Sequence, residues 1–200
     1  EEAYELMVNI YLNTQNYKDA LTSLQKIKNK NTRLKIAEQR IYYFRGIELF
    51  NNLEYADAIR HFEAAITRNF DTRITAESKY WMAESSYRIK DYNGAQRMYE
   101  DFLTSPAAKS VSFYNDAYYS LAYALLKMKQ YHEAATEFRN FVTAASQADL
   151  RKQHDAFLRL GDCYFMIRNY AKAIEYYDQA IEIKQYKNDY ALYQKSLMQG

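Results

Sequence analysis

The chain has 200 residues, a net charge of +2 and acidic and basic side chains interspersed along its length, a composition that does not suggest a nucleic-acid or membrane surface. One proline and four glycines leave no obvious flexible linker. No stretch approaches the ~20 apolar residues of a membrane span, so no direct membrane insertion of this segment is expected.

A tyrosine three residues before an alanine recurs along the chain. The five pairs are Tyr17 and Ala20, Tyr55 and Ala58, Tyr92 and Ala95, Tyr131 and Ala134, and Tyr170 and Ala173. These anchor alanines lie 38, 37, 39 and 39 residues apart, a period typical of repeat architectures. Proteins of that kind usually present an extended surface to a partner and carry no reaction centre of their own.

Other positions repeat with the anchor alanine, at spacings that define one helical face. Twelve residues before it the side chain is small: Val8, Gly46, Ala83, Ala122 and Gly161. Four residues after it the side chain is large: Leu24, Phe62, Tyr99, Phe138 and Tyr177. The pattern predicts that each unit is a helical hairpin, in which the small residue lets the two helices approach closely.

Short polar breaks separate the two predicted helices of each unit, at 13–16, 51–54, 90–91, 129–130 and 168–169. Asn16, Asp91 and Asn169 are expected to cap the second helices, because their side chains accept hydrogen bonds from free amide groups at a helix start. We predict one continuous domain over 1–200, with units at roughly 1–30, 33–70, 73–106, 110–147 and 150–185 and a partial unit at 187–200.

Leu160-Gly161, Tyr164, Ala173 and Tyr177 resemble the tetratricopeptide repeat family, and Arg45-Gly46, Ala58 and Phe62 match its pattern in part. The resemblance covers essentially the whole chain. It implies an all-α fold, a right-handed α-solenoid of antiparallel helical hairpins with about five repeats plus one extra helix. The sequence departs from the family in two ways: Pro106 is the only proline, and the period exceeds the usual 34 residues.

Catalysis would need titratable groups that converge, and the sequence offers few. His61, His132 and His154 fall at different places in three units without another metal ligand at suitable spacing. Asp162 and its neighbour Cys163 point in different directions on a helix. There is no glycine-rich phosphate loop. We therefore predict a protein that is not an enzyme, with no cofactor and no metal site, in which Cys163 is a buried, unreactive thiol.

The resemblance implies that the first helices line the concave side of the stack. Positions fifteen, eleven, eight and seven residues before each anchor are then expected to form a groove for an extended or helical peptide. Aromatic residues of this kind are favoured at interfaces. The candidate partner-binding residues are Tyr43, Ile47, Asn51, Tyr80, Glu84, Tyr87, Arg88, Tyr119, Tyr123, Lys127, Leu158 and Asp162.

An alternative stays open for the aromatic columns. Tyr43, Tyr80 and Tyr119 could pack between repeats instead of contacting a ligand, as could Phe50 and Phe165 eight residues before their anchors. In the first unit the corresponding groove positions are Glu5, Asn9 and Leu12. A carboxylate clamp is not expected, since Glu5, Phe44 and Glu77 stand where that specialisation would need basic or polar residues.

The leading hypothesis is a non-enzymatic scaffold that binds a peptide or partner protein. Aromatic hairpins such as 117–122 look similar to bacterial envelope proteins of this family, which favours the periplasm over the cytoplasm. The alternative is a positioning or regulatory module of a larger protein, whose catalytic or DNA-binding domain is absent from this chain. The chain opens inside a predicted first helix and ends after one helix of a sixth unit, as an excised segment would. Self-association through Leu192, Leu197 and Met198 of that last helix is a third expectation.

Overall fold

A computed structural model describes Leu6 and residues 13–144, 149–184 and 186–199. These residues form ten α-helices and one 3₁₀ helix, and no strand occurs within the described ranges. The α-helices are α1 (Tyr17–Gln25), α2 (Thr32–Asn51), α3 (Tyr55–Arg68), α4 (Thr72–Arg88), α5 (Tyr92–Leu103), α6 (Tyr114–Lys127), α7 (Tyr131–Ala144), α8 (Leu150–Met166), α9 (Tyr170–Glu182) and α10 (Asp189–Gln199). The 3₁₀ helix spans Ala108–Ser110. The predicted all-α fold is confirmed.

The chain divides into two compact units, residues 1–111 and 112–200. The first contains α1 to α5 and the 3₁₀ helix, with hairpins formed by α2 and α3 and by α4 and α5. The second contains α6 to α10, with hairpins formed by α6 and α7 and by α8 and α9. Glu5, Val8, Asn9 and Leu12, predicted to lie on the first helix of the first hairpin, are outside the described residues. The predicted single domain stays a prediction.

Each described second helix begins at the tyrosine of the repeated pair. The expected caps are confirmed: Asn16, Asp91 and Asn169 accept hydrogen bonds from the backbone amides of Asp19, Gly94 and Lys172. The residue before the second helix's N-cap adopts a positive φ, 66° at Lys90 and 62° at Arg168. The backbone amide of Lys90 then donates to the carbonyl of Tyr87, and the backbone amide of Asp91 donates to the carbonyl of Ser86. This pattern closes the first helix and reverses the chain within a few residues.

The two helices of a hairpin touch where the small residue of the first meets the large residue of the second. A Cβ added at Gly46 would lie 2.6 Å from the ring of Phe62, and one at Gly161 would lie 2.4 Å from the ring of Tyr177. Phe62, Tyr177 and the anchor alanines Ala58 and Ala173 are fully buried. The predicted close approach is therefore the centre of each hairpin core.

The repeated tyrosine packs across the turn of its own hairpin. The ring of Tyr55 lies 5.3 Å from Phe50, Tyr92 lies 5.4 Å from Tyr87, and Tyr170 lies 5.7 Å from Phe165. Phe50, Tyr87 and Phe165 all stand eight residues before their anchor alanines. Phe50 also contacts Trp81 of the next hairpin at 5.0 Å, so this ring packs between repeats as well as within one.

In three of the four hairpins described in full, a polar residue nineteen positions before the anchor bonds the end of the hairpin or the link that follows it; the α4–α5 hairpin has Ala76 there. Gln39 is fully buried, accepts from the backbone amides of Phe70 and Asp71 at 2.9 and 2.7 Å, and donates to Thr75 at 2.9 Å. At the same position Asn115 donates to the carbonyl of Ala144, the last residue of α7, at 3.3 Å, and His154 bonds Asn188 at 3.0 Å. These side chains satisfy polar groups that would otherwise be left unpaired where the chain leaves a helix.

No helix in the described ranges combines the length and the apolar character that crossing a bilayer requires. Cys163 is a free thiol and fully buried, as predicted. Burial raises its pKa to about 12, with the charge of Asp162 adding to the effect.

Candidate functional site

The candidate residues lie on first helices, and they differ in exposure. Tyr43 and Tyr80 are only 9% and 8% exposed. The ring of Tyr43 lies 6.3 Å from Phe62, and that of Tyr80 lies 6.0 Å from Tyr99. The second helix of each hairpin therefore covers the position fifteen residues before the anchor, and little of these two rings is available to a partner. Tyr119 and Leu158, at the same position in the second unit, are half-buried.

A stripe of side chains with solvent access runs along each first helix. It consists of positions fourteen, eleven and seven before the anchor, whose spacings of three and four place them on one face. We call it the open stripe. Its residues are Phe44, Ile47 and Asn51 of α2, Trp81, Glu84 and Arg88 of α4, Ser120, Tyr123 and Lys127 of α6, and Arg159, Asp162 and Met166 of α8. Seven of these twelve were candidate partner-binding residues.

In the first unit the open stripe is aromatic and apolar, with polar ends. Phe44 is 40% exposed and stacks on Tyr17 at 5.5 Å. Trp81 is half-buried against Phe50, and the guanidinium of Arg88 lies 6.0 Å from the centre of the same Phe50 ring. The stripe therefore presents ring faces and edges beside an exposed cation, a combination that suits an apolar side chain next to an acidic or amide group.

An open depression of about 270 Å³ lies at the α2 end of this stripe. Its lining residues are Gln15, Tyr17, Phe44, Ile47, Glu48 and Asn51. Glu48 is paired with Arg45 at 2.7 Å, which leaves the amides of Gln15 and Asn51 as exposed hydrogen-bonding groups in the lining. A depression of this size admits one or two side chains of a peptide.

In the second unit the corresponding face is a hydrogen-bonded cluster. We call it the tyrosine–aspartate cluster; its members are Tyr119, Tyr123, Asp155, Arg159, Asp162, Tyr177 and Tyr190. Tyr119 donates to Asp155 at 2.8 Å, and Tyr123 donates to the same carboxylate oxygen. Asp162 accepts from Tyr177 at 2.8 Å and from Tyr190 at 2.7 Å.

Arg159 joins the two halves of the tyrosine–aspartate cluster. Its guanidinium pairs with Asp155 at 3.5 Å and also with Asp162. Each carboxylate thus accepts from three donors, which uses most of its roughly four lone-pair sites. The cluster connects α6, α8, α9 and α10, and the guanidinium of Arg159 offsets one of its two carboxylate charges.

The titration of these groups reflects the same arrangement. Burial raises the pKa of Tyr119 and Tyr177, and the nearby carboxylates of Asp155 and Asp162 raise each further. Burial also raises the pKa of Tyr43, helped by the charge of Glu77 and a hydrogen bond to it. A neutral phenol is favoured in each case because the phenolate would be desolvated beside a carboxylate. These hydroxyls therefore remain donors at neutral pH.

Several residues near the candidate site were not among the candidates, and Phe44, Trp81, Asp155 and Arg159 are four of them. Phe44 and Trp81 stand at the same position, fourteen residues before the anchor alanine, so comparing the repeats could have identified them. Asp155 stands eighteen residues before its anchor alanine, and the two preceding hairpins have Asp116 and Glu77 at the same position. This recurring acidic residue could have identified the hydrogen-bond partners of the tyrosines that stand fifteen residues before the anchor alanine.

Residues 119–188 match the sequence model of the tetratricopeptide repeat family. No curated protein sequence matches the chain. Among solved structures, the chain is similar to YrrB, described as a TPR protein with an unusual peptide-binding site. The two share 20% identity at a TM-score of 0.67, over 96% of this chain and 90% of that one.

Two further solved structures are similar along most of the chain. MamA has 16% identity and a TM-score of 0.65, covering 92% of this chain and 91% of its own. BtubC (BKLC) from P. vanneervenii has 14% identity and a TM-score of 0.65, covering 93% and 82%. Residues 119–188 therefore belong to the tetratricopeptide repeat family, and the chain has the tetratricopeptide α-solenoid fold, a fold that usually serves protein interaction.

Proposed function

We propose that this protein is an interaction scaffold whose first unit binds a peptide or a peptide-like segment of a partner protein along the open stripe of α2 and α4. The observation that carries this proposal is the solvent exposure of Phe44 beside Ile47 and the adjoining depression. An apolar side chain of the peptide inserts there, against the ring of Phe44. Partly exposed aromatic residues of this kind supply much of the binding energy at interfaces.

The polar residues of the open stripe set the register of the peptide. Asn51 and Arg88 are exposed, and a backbone or carboxylate group of the peptide accepts hydrogen bonds from them. Glu84 contributes less, because it already accepts a hydrogen bond from Tyr99 at 2.6 Å. YrrB, which has the same fold, is described as containing a peptide-binding site, and this description supports the peptide as the class of partner.

The second unit has a different role in this proposal. Tyr123 and Asp162, two of the candidate binding residues, bond within the tyrosine–aspartate cluster, so that cluster maintains the arrangement of α6, α8, α9 and α10. Lys127 is the exposed member of the open stripe on α6. A role in bacterial envelope assembly stays a prediction from the sequence, and co-purification from an isolated envelope fraction tests it.

The experiment is a peptide selection followed by affinity measurement. A displayed library of random 15-residue peptides is panned against the chain, and selected peptides are titrated by fluorescence anisotropy. We expect a Phe44→Ala, Ile47→Ala variant to bind at least tenfold more weakly. Phe70→Ala is the matched control, since Phe70 is a 46% exposed phenylalanine of the same unit that lies outside the open stripe.

The proposal fails if selected peptides bind the double variant and the parent equally, or if Phe70→Ala weakens binding as much. It also fails if no peptide is selected. Circular dichroism of both variants establishes that helix content is unchanged. An Arg88→Glu variant adds a charge test: peptides with an acidic residue beside the apolar anchor should lose affinity, and peptides without one should not.

A further inference from the structure

The depression at the α2 end of the open stripe contains a charged residue at a position where the other hairpins described in full have a small, buried one. Glu48 stands ten residues before its anchor alanine, and the corresponding residues of α4, α6 and α8 are Ser85, Ala124 and Cys163. These three side chains are fully buried, whereas 42% of the Glu48 side chain is exposed. The hairpin fold therefore does not require a carboxylate here, and such a departure from the local pattern marks a candidate functional residue.

Glu48 keeps one carboxylate oxygen for a ligand. Arg45 binds Oε2 at 2.7 Å, and within the described residues this pair leaves Oε1 for a further donor. The pair is partly exposed and joins two residues of the same helix, so water screens it and a ligand cation can share the carboxylate. Arg45 also lines a separate depression of about 330 Å³ together with Lys18, on another face of α2.

The remaining side chains of the first depression complement a long basic side chain. The rings of Tyr17 and Phe44 are stacked at 5.5 Å with 18° between their planes, so each ring has one face turned away from the other, and aromatic faces attract cations. Ile47 offers apolar surface to a methylene stem. Gln15 is exposed, and its amide oxygen accepts hydrogen bonds. No lysine, arginine or histidine is among the six described residues that line this depression.

The charge of Glu48 acts within the same space. Burial raises the pKa of the Tyr17 phenol, and the charge of Glu48 raises it further. Because electrostatic interactions weaken with distance and are screened by water, this effect requires the carboxylate to lie near the phenol. Both residues line the depression, so a cation placed there lies close to the carboxylate.

We propose that the depression takes a lysine or arginine side chain of the bound peptide, next to the apolar side chain that packs against Phe44 and Ile47. The stem of the basic residue lies along Ile47, and its charged head lies between Glu48 and the ring of Tyr17. This inference rests on the proposed function, because it names the chemistry of the peptide that the open stripe binds. Glu48 on α2 and Arg88 on α4 give the two helices opposite charges, and these charges fix the direction in which the peptide lies.

The test exchanges the charges of the site and of the peptide. The displayed library of 15-residue peptides is panned in parallel against the parent and a Glu48→Lys variant. We expect lysine and arginine to be enriched near the apolar anchor in the parent pool, and aspartate and glutamate in the variant pool. Glu63→Lys is the matched control, since Glu63 is an exposed glutamate of α3 and the change in net charge is the same. Its pool should resemble the parent pool.

Titration by fluorescence anisotropy measures the size of the effect. The probes are the tightest peptide from the parent pool and a copy with glutamate in place of its basic residue. The parent should prefer the basic peptide at least tenfold, Glu48→Gln should remove most of that preference, and Glu48→Lys should reverse it. Circular dichroism of each variant establishes that helix content is unchanged.

A preference that survives both Glu48→Gln and Glu48→Lys overturns this inference, as does a parent pool without enriched basic residues. A Glu63→Lys pool that shifts as the Glu48→Lys pool does would assign the preference to net charge and overturn it too. In each of these cases the proposed function stands if Phe44→Ala, Ile47→Ala still weakens the selected peptides. Equal binding to that double variant and to the parent overturns the proposed function itself, and this inference with it.

Discussion

The hydroxyl of Tyr177 on α9 donates a hydrogen bond to Asp162 on α8 at 2.8 Å, across the α8–α9 hairpin. Tyr99 and Glu84 form the same pair in the α4–α5 hairpin, at 2.6 Å. In the two other hairpins described in full, the residue four after the anchor is phenylalanine, and the position eleven before it is not acidic; these pairs are Phe62 with Ile47 and Phe138 with Tyr123. At the position eleven before the anchor, a carboxylate therefore occurs only in the hairpins whose residue four after the anchor is a tyrosine that can donate to it.

Removing the Tyr177 hydroxyl should destabilise the protein. The ring of Tyr177 is fully buried, and a Tyr177→Phe change keeps it while Asp162 loses one of its three donors. A hydrogen bond to a charged group contributes about 1.5–3 kcal/mol, so the free energy of unfolding in urea should fall by about that amount. Tyr176→Phe on the same helix is the control, and its effect should be smaller. Equal effects would mean that the Tyr177–Asp162 bond contributes nothing beyond an ordinary hydroxyl.

Adding a methyl group at Gly46 or Gly161 should also destabilise the protein, even though alanine is the better helix former by about 1 kcal/mol. The new Cβ would lie 2.6 Å from Phe62 or 2.4 Å from Tyr177, and both rings are fully buried, so they cannot turn into solvent. Overpacking of this kind costs about 1–3 kcal/mol. We expect a net loss of unfolding free energy for Gly46→Ala in chemical denaturation. A gain would show that the Phe62 ring shifts freely.

Replacing Ser78 by alanine should stabilise the protein. Ser78 is fully buried, and its hydroxyl has no hydrogen-bond partner among the described residues. The corresponding residues of the next two hairpins are Ala117 and Ala156, both fully buried. An unpaired buried hydroxyl costs about 1–3 kcal/mol in protein mutational data, so Ser78→Ala should raise the unfolding free energy by about 1 kcal/mol. A lower value would indicate that the hydroxyl is bonded, for example to water.

The stability contributed by Tyr190 should disappear at high pH. Burial raises the pKa of Tyr190 to about 12, and its hydrogen bond to Asp162 and the charge of that carboxylate add to the effect. The unfolded chain has the ordinary value of about 10. Because the folded pKa is the higher one, the contribution is complete below pH 10 and is lost as pH rises through about 12.

A Tyr190→Phe variant makes this measurable in urea unfolding at several pH values. The variant should be less stable than the parent at pH 8, and the difference should shrink between pH 10 and pH 12. Tyr193→Phe, on the same helix but 60% exposed, should show no such convergence. A gap that is constant across this range would mean that Tyr190 does not titrate differently in the folded protein.

The repeat period, the positions of the turns and the caps Asn16, Asp91 and Asn169 could be predicted because they depend on local spacing and on side chains that act within a few residues. The division of the first helix into packed and open faces could not. Tyr43 and Tyr80 are buried because the large residue four after the anchor reaches past the small residue and covers the next position round the helix. How far it reaches depends on the crossing angle of the two helices, which residue spacing does not specify.

The pairing of Tyr177 with Asp162 and of Tyr99 with Glu84 makes each of these hairpins a matched set. A whole hairpin carries the donor and the acceptor of this pair together. Exchanging single helices would leave a carboxylate without its donor. For example, combining α4 with α3 would place Glu84 against the ring of Phe62, which has no hydroxyl. In recombination or design, the unit that keeps the Tyr177–Asp162 pair or the Tyr99–Glu84 pair intact is therefore two helices long.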